Sequence, residues 1–228
     1  MKLLYWDIDG TLVNTGMAGM NAIYEVFHEL KGDDQAVPKI SAGGRTDNYI
    51  CQQLLYQATG VMPDDEEVNE FCRNYEKHLM KWLQKMNGEI IPPVRDLLPF
   101  FAQHPDFHQC LLTGNSIHGA RMKLDFFNLS QYFDFDHSGF ARNFYYRDDM
   151  AKYAHAIAEK TWGSEIEAMY VIGDTPYDIQ CGKAIGAYTV SVATGHYTYE
   201  QLQAHSPWVL LHRLPEPEAF LQLLCQPT

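Results

Sequence analysis

The stretch LLYWDIDGT, residues 3–11, places two carboxylates one residue apart directly after an apolar run. Carboxylates are rarely buried without a partner, so the pair marks either a strand that runs out at the surface or two acids aimed at one site. Side chains two residues apart along an extended chain project to the same side. Asp7 and Asp9 can therefore face one site while Ile8 points into the core. Gly10 then allows the backbone to turn sharply.

Short apolar segments alternate with longer helical patterns in the rest of the chain. The strand patterns cover residues 2–6, 108–112, 169–172 and 188–192, with a weaker one at 208–211. The helical patterns between them cover residues 93–104, 116–128, 148–162 and 176–185. Such alternation predicts an α/β fold, a Rossmann-like core in which a parallel sheet lies between two layers of helices.

The interval between the first two strand patterns departs from this alternation. It contains helical patterns at 17–30, 48–58 and 65–86 and no convincing strand. A connection of this length is too long for a simple crossover. We therefore expect residues 15–88 to form an inserted α-helical domain, hinged near Asn14 and Gly88. Residues 1–14 and 89–228 then form the core.

Composition limits the classes of partner. The chain of 228 residues has a formal net charge of −12, which argues against nucleic acid or an anionic membrane as a main partner. Its five cysteines are scattered and show no CxxC spacing, as expected of free thiols in a reducing compartment. There is no apolar segment typical of a signal peptide or a membrane span. We expect a cytoplasmic protein.

Two further predicted strands end in polar residues that can do chemistry. The strand at 108–112 runs into Thr113, Gly114 and Asn115, and the strand at 169–172 runs into Asp174 and Asp178. Each segment alone is also compatible with an ordinary helix start. Because the carboxyl ends of parallel strands share one edge of a sheet, all three strand ends should meet. Hard oxygen ligands gathered in this way suit Mg²⁺ and a phosphoryl group.

The three segments resemble motifs of a known family. DIDGT, LLTGN and GDTPYD are similar to motifs I, II and IV of the haloacid dehalogenase superfamily. The stretch LLTGNSIHGARMKLDFFNLSQYFDFDHSGF, residues 111–140, resembles the phosphoglycolate-phosphatase-like subgroup. The helical insertion resembles a C1-type cap. The resemblance covers nearly the whole chain and implies a phosphoric monoester hydrolase.

The resemblance implies a role for each motif residue. Asp7 would be the nucleophile that forms an aspartyl-phosphate, and Asp9 the general acid and base. Mg²⁺ would bind a carboxylate oxygen of Asp7, the backbone carbonyl of Asp9 and a carboxylate oxygen of Asp174. Asp178 would support the water shell of the metal. The phosphoryl oxygens would be bound by Thr113, Gly114 and Asn115.

The basic residue of motif III is less distinct because the Lys-Pro pair familiar from the family is absent. Arg147, at the start of a helical pattern, is the first candidate for this phosphate-binding role, and Lys152 is the second. For either residue, a solvated surface charge is the competing interpretation. We expect Arg121 and Lys123, in the helix after LTGN, to coat a solvent-facing surface.

Substrate choice should depend on the cap, because the core motifs handle only the phosphoryl group. In the segment AGGRTD, residues 42–47, Arg45 follows two glycines and could reach a substrate carboxylate or second phosphate. The competing interpretation is a turn before a helix capped by Thr46 or Asp47.

The sequence thus predicts a Mg²⁺-dependent phosphatase acting on a small phosphorylated metabolite. Asp9 argues against a C2-halogen dehalogenase, which would lack the second acid. A sugar-phosphate mutase of the β-phosphoglucomutase type keeps both acids and remains an alternative. A receiver-type signalling module phosphorylated on aspartate is a distant third, because receivers usually lack such a helical insertion.

Overall fold

A computed structural model describes residues 1–32, 34–141 and 144–225. Its main sheet has six parallel strands in the order β5-β4-β1-β6-β7-β8. A separate antiparallel pair is formed by β2 and β3. In chain order the strands are β1 (Lys2–Trp6), β2 (Val13–Asn14), β3 (Glu89–Ile90), β4 (Phe107–Leu112), β5 (Asp134–Gly139), β6 (Ala168–Gly173), β7 (Tyr188–Val192) and β8 (Val209–Leu211).

Nine α-helices lie within the described residues. Three of them, between β2 and β3, are α1 (Ala18–Lys31), α2 (Asp47–Thr59) and α3 (Asp65–Lys85). The helices of the sheet domain are α4 (Val94–Ala102), α5 (Ile117–Phe126), α6 (Arg147–Trp162), α7 (Pro176–Ala184), α8 (Tyr199–Gln203) and α9 (Pro217–Leu224).

The alternation of side chains along β1 builds the two cores of the sheet domain. Leu4 and Trp6 point to one face and join a cluster with side chains of α4, α5 and α9. Leu3 and Tyr5 point to the other face and pack against α6 and α7. Because side chains alternate with a period of two along a strand, a strand that is apolar at every position is buried on both faces. The predicted Rossmann-like three-layer core is therefore confirmed.

One strand of the main sheet, β5, was not predicted from the sequence. β5 lies at the edge beside β4, in a segment where no strand was predicted. Its sequence, DFDHSG, lacks the continuous apolar character of the central strands. An edge strand has a neighbour on one side only, so polar residues are tolerated there and the strand signal is weak.

The helices α1 to α3 enclose a hydrophobic cluster of their own, which includes Phe27, Leu54, Phe71 and Leu79. They begin and end at the β2–β3 pair, where Asn14 pairs with Glu89. The two segments that connect the sheet domain to these helices also touch at Gly88, where an added Cβ would lie 2.9 Å from the Asn14 carbonyl oxygen. Among the described residues, no helix is long and apolar enough to span a bilayer.

Candidate active site

The polar segments that follow β1, β4 and β6 meet at one edge of the sheet. β1 lies between β4 and β6, and Trp6 is in register with Leu111 on one side and Ile172 on the other. Parallel strands in register end at the same edge, so the residues after them share one crevice. Asp7, Thr113 and Asp174 all line this crevice.

Asp7 is buried in the floor of the crevice. Its amide donates to the Ile172 carbonyl oxygen at 2.9 Å, which ties the end of β1 to β6. Burial raises the pKa of the Asp7 carboxyl to about 7; the Asp178 charge adds to the rise, and the Arg147 guanidinium opposes it. A bound cation would favour the ionised form of Asp7, which is the form that can attack an electrophile.

Arg147, the first residue of α6, lies buried beside Asp7. Its Nη2 donates to Asp7 Oδ1 at 3.3 Å, to the Leu112 carbonyl oxygen at 2.9 Å and to Asp178 Oδ1. One guanidinium thus joins the ends of β1 and β4 to α7. Lys152, the second candidate for the phosphate-binding role of motif III, lies exposed further along α6, with its Nζ 3.6 Å from Asp149 Oδ1.

Asp178 holds the start of α7 in place. Its Oδ2 accepts hydrogen bonds from the Thr175 amide at 3.0 Å and the Thr175 hydroxyl at 2.6 Å, while Oδ1 accepts from Arg147. The Asp178 amide lies 3.4 Å from Thr175 Oγ1, which completes a reciprocal capping box. Both carboxylate oxygens are therefore engaged with protein donors.

Asp174 follows β6 and is enclosed by backbone. An added Cβ would lie 1.7 Å from Asp174 Oδ2 at Gly195 and 2.5 Å from it at Gly10. Only glycine lets the chain come so close to this carboxylate. Burial raises the pKa of Asp174 well above its ordinary value, and the neighbouring charges of Asp7 and Asp178 add to the rise.

The carboxylate cluster fits a magnesium ion. Single oxygens of Asp7, Asp174 and Asp178 lie within 4.8 Å of one another. Because Asp178 is already engaged at both oxygens, Asp7 and Asp174 are better placed to offer an oxygen to a metal. Repulsion among these buried carboxylates favours their protonated forms, and a bound divalent cation would offset that repulsion. A set of ligands made only of oxygen atoms suits Mg²⁺.

Asp9 faces the same crevice, but its partners differ from those of Asp7. Its Oδ2 accepts from Lys123 Nζ at 2.6 Å and from Asn115 Nδ2 at 2.8 Å, and its Oδ1 accepts from the Thr15 hydroxyl at 3.2 Å. Burial alone would raise the pKa of Asp9. The Lys123 ammonium and these hydrogen bonds outweigh burial and hold the pKa below its ordinary value. The surroundings thus raise the pKa of Asp7 and lower the pKa of Asp9.

The prediction that Lys123 lies on a solvent-facing surface is wrong. Its Nζ lies 2.6 Å from both Asp9 Oδ2 and Asn115 Oδ1, and its side chain is 6% exposed. A signal was present, because Lys123 lies three residues after Ala120 and four before Phe127, on the buried stripe of its helix. Arg121 is exposed, as predicted.

The loop after β4 is shared between the core and the helical insertion. The Thr113 side chain lowers the pKa of Asp7, and Asn115 Nδ2 donates to Thr113 Oγ1 at 2.8 Å. The Gly114 carbonyl oxygen accepts from the Asp47 amide at 2.7 Å. An added Cβ at Gly114 would lie 2.1 Å from the Arg45 carbonyl oxygen, so residue 114 must be glycine for the insertion to lie against the loop.

Arg45 enters the crevice from the insertion. Its guanidinium carbon lies 4.6 Å from the ring centroid of Tyr49 and 4.3 Å from that of Tyr177, so the side chain is held between two aromatic faces. Arg45 Nε is buried and has no hydrogen-bond partner among the described residues. Thr46 caps α2, since its hydroxyl oxygen accepts from the Tyr49 amide at 3.1 Å. The predicted helix start and the approach of Arg45 to the crevice thus occur together.

Asp47 is the first residue of α2 and not its cap, and its side chain contacts the start of α5 and helix α3. Its Oδ2 accepts from the Ser116 amide at 2.8 Å, at the start of α5, and from the Tyr75 hydroxyl. Burial raises the pKa of Asp47. Together with Arg45, this residue lines a cavity of about 690 Å³ that also includes Asp7, Asp9 and Arg147. The cavity therefore lies between the sheet edge and the insertion.

A family model described as haloacid dehalogenase-like hydrolase matches residues 4–192. The chain belongs to this family. A search of curated proteins found no match. Solved structures of similar fold include a predicted phosphatase from Clostridium acetobutylicum, with 17% identity, 98% of this chain and 97% of that chain covered, and a TM-score of 0.69.

Two other solved structures resemble this haloacid dehalogenase-like hydrolase over similar lengths. A predicted phosphoglycolate phosphatase from Haemophilus somnus is 15% identical, with 98% of each chain covered and a TM-score of 0.68. A candidate β-phosphoglucomutase from Bacteroides vulgatus is 17% identical, with 98% of this chain and 88% of that chain covered and a TM-score of 0.68. At these identities the likeness shows the shared fold.

Proposed function

We propose that this haloacid dehalogenase-like hydrolase is a Mg²⁺-dependent phosphatase that hydrolyses a small phosphomonoester through an aspartyl-phosphate on Asp7. The observation that carries the proposal is that Asp7, Asp9, Asp174 and Arg147 line one cavity. Mg²⁺, held by Asp7, the Asp9 backbone carbonyl and Asp174, would supply positive charge that offsets repulsion between the acids and the phosphoryl group.

In the proposed reaction, a carboxylate oxygen of Asp7 forms a bond to phosphorus as the bond to the leaving oxygen breaks. A protonated Asp9 gives its proton to the leaving alkoxide; the carboxylate that remains, which is the form that Lys123 stabilises, takes a proton back from the water that hydrolyses the aspartyl-phosphate. Arg147 would neutralise charge near the phosphoryl group, as expected of the motif III residue, and it holds Asp7 in place, since its Nη2 contacts both Asp7 and Asp178. The Thr113 hydroxyl and the backbone of Gly114 and Asn115 bind the phosphoryl oxygens.

We propose further that residues 15–88 act as the cap and set the substrate class. Arg45 is clamped between Tyr49 and Tyr177, and its Nε has no protein partner among the described residues. A buried guanidinium donor without a partner is costly unless an acceptor reaches it. A substrate with a second anionic group, such as a phosphorylated hydroxy acid or a sugar bisphosphate, would supply that acceptor.

A mutase remains the alternative because it would use the same pair of acids. A candidate β-phosphoglucomutase is among the structures that share the fold. The distinction lies in the fate of the phosphoryl group, which a phosphatase gives to water and a mutase returns to the sugar. A phosphate-release assay combined with ³¹P NMR of the products separates the two.

The experiment that tests the function is a screen of phosphate release from a panel of phosphorylated metabolites by metal-stripped protein, with and without added Mg²⁺. We expect near-zero release without metal and recovery with Mg²⁺. Full activity in excess chelator would overturn the metal assignment, and isomer formation without phosphate release would favour the mutase. The scattered spacing of the five cysteines is the ground on which we propose a cytoplasmic location.

A further inference from the structure

Two histidines and an aspartate meet at a point remote from the crevice. His108 belongs to β4, and Asp134 and His137 belong to β5. Asp134 Oδ2 lies 2.8 Å from His108 Nε2 and 2.7 Å from His137 Nδ1. His108 precedes Thr113 by five residues of extended chain, on the order of 16 Å. The cluster therefore takes no part in the catalytic site proposed above.

The carboxylate of this cluster is held in one orientation by the backbone. Asp134 Oδ1 accepts hydrogen bonds from the amides of Asp136 at 3.0 Å and His137 at 3.2 Å. Its other oxygen, Oδ2, is thereby directed between the two imidazoles. The Trp162 ring lies against both imidazoles, with centroid separations of 4.8 Å from His108 and 4.2 Å from His137. The three side chains are thus packed in place.

The hydrogen bonds of Thr161 indicate which ring nitrogen of a neutral His137 carries the proton. The Thr161 hydroxyl donates to the Ile157 carbonyl oxygen at 3.0 Å, so its oxygen is left to accept from His137 Nε2 at 3.1 Å. A neutral His137 with its proton on Nε2 directs the lone pair of Nδ1 at Asp134 Oδ2. Two lone pairs at 2.7 Å repel each other, so a cation must lie between them: a proton on Nδ1 or a metal ion.

We propose that His108, Asp134 and His137 bind a divalent transition metal of the zinc class, with water completing the coordination. Two imidazole nitrogens and one carboxylate oxygen form a typical Zn²⁺ donor set and a poor one for Mg²⁺. Tetrahedral coordination at Zn–N and Zn–O distances of 2.0 to 2.2 Å needs ligand atoms about 3.3 Å apart. The present separations from Asp134 Oδ2 are about half an ångström shorter, a change that small side-chain rotations can supply.

Such a metal would join the edge strand β5 to β4. The ligands come from both strands, and Thr161, at the end of α6, would orient His137 from outside the coordination shell. The metal would therefore stabilise the fold at a distance from the phosphoryl chemistry. Its occupancy and the Mg²⁺-dependent activity can be measured separately.

The test is calorimetric titration of chelator-treated full-length protein with Zn²⁺ in buffer containing saturating Mg²⁺, which competes for the all-oxygen site. We expect one Zn²⁺ per chain to bind with a rise in Tm. His108→Gln and His137→Gln should each weaken binding by at least about 100-fold. The Mg²⁺-dependent phosphatase rate of both variants should be unchanged. His78→Gln, in the cap beside Glu25 and Glu29, is the matched control and should bind Zn²⁺ normally.

A second measurement uses the unaltered protein and does not depend on the folding of a variant. Zn²⁺ should shift the ¹⁵N resonances of His108 Nε2 and His137 Nδ1, with His78 unaffected. The proposal is overturned if no Zn²⁺ binds; His137 resonances typical of an imidazolium would then identify the cation as a proton. It is equally overturned if Zn²⁺ binding survives both glutamine variants or is lost in His78→Gln.

Discussion

The Lys123 ammonium lies 2.6 Å from Asp9 Oδ2, and its side chain is almost fully buried. The same nitrogen is 2.6 Å from Asn115 Oδ1, and Asn115 Nδ2 in turn donates to Asp9 Oδ2. Asp9 is therefore fixed from α5 and from the loop that precedes it. On the other side, the Thr15 hydroxyl reaches Asp9 Oδ1 from the start of the insertion. The proposed general acid and base is thus positioned by residues of both parts of the chain.

We predict that Lys123→Met lowers kcat by about 10- to 100-fold and changes KM much less. Loss of the ammonium frees the Asp9 carboxylate, and a misplacement of about 1 Å can cost a factor of 100 in rate. Steady-state phosphate release provides the measurement, with circular dichroism to check the fold. Lys152→Met is the matched control, because Lys152 is an exposed lysine of α6 and should leave both constants unchanged. A normal kcat for Lys123→Met would show that Asp9 is held without this contact.

The relation between Lys123 and Asp9 marks the limit of what the sequence predicts. Asp7, Asp9 and Asp174 could be placed together because parallel strands end at one edge, which is a rule of the fold and not of its details. Lys123 lies eight residues after Asn115, and its burial depends on how α5 packs against the crevice and the insertion. The position of Lys123 on the apolar stripe of its helix was the available signal. The prediction that it is exposed followed its charge and not that position.

Strand β5 and the contacts between the insertion and the core were not predicted, for different physical reasons. β5 is an edge strand whose polar residues include the His137 and Asp134 pair, so local patterning could not identify it. The hydrogen bond from the Ser116 amide to Asp47 joins segments 69 residues apart. Such contacts arise from packing between the insertion and the core, and no local propensity encodes them.

The two proposed catalytic acids should differ in how their replacement affects turnover. Asp7→Asn should abolish phosphate release, because an amide cannot act as the attacking carboxylate. Asp9→Asn should retain the nucleophile and lower kcat by about 10²- to 10⁴-fold, the usual contribution of general acid–base catalysis. Single-turnover assays with acid quenching measure both effects. Wild-type rates for Asp7→Asn would rule out Asp7 as the nucleophile.

The raised pKa of Asp7 predicts how the stability of the metal-free protein depends on pH. Since the folded pKa of about 7 exceeds the ordinary value of 3.8, the folded chain binds more protons than the unfolded chain between these values. Stability contributed by protonated Asp7 is therefore lost as pH rises through about 7. In chelator, wild-type Tm should fall more steeply than that of Asp7→Asn between pH 5 and pH 8. Parallel profiles for the two proteins would contradict this account.

Arg147 should contribute to stability as well as to the site. Its side chain and that of Asp178 are almost fully buried, so Arg147→Met leaves Asp7 and Asp178 without their shared counter-charge. Breaking a buried ion pair in this way typically costs about 3 to 5 kcal/mol. Urea denaturation in chelator should show such a loss, and the Arg147→Met/Asp178→Asn double variant should recover part of it. If the double variant is the less stable of the two, the charge argument fails.

The final prediction concerns Arg45, whose guanidinium is held between Tyr49 and Tyr177. If this group grips a second anionic group of the substrate, Arg45→Ala should lower kcat/KM for the best dianionic substrate by about 10- to 100-fold, the range for a charge-assisted hydrogen bond. A simple aryl phosphate has no second anion, so its kcat/KM should fall much less. Arg95→Ala removes an exposed arginine of α4 and should alter neither substrate. Equal losses on both substrates would indicate that Arg45 acts by packing the cap against the core, and unchanged rates on both would place substrate selection elsewhere in the cap.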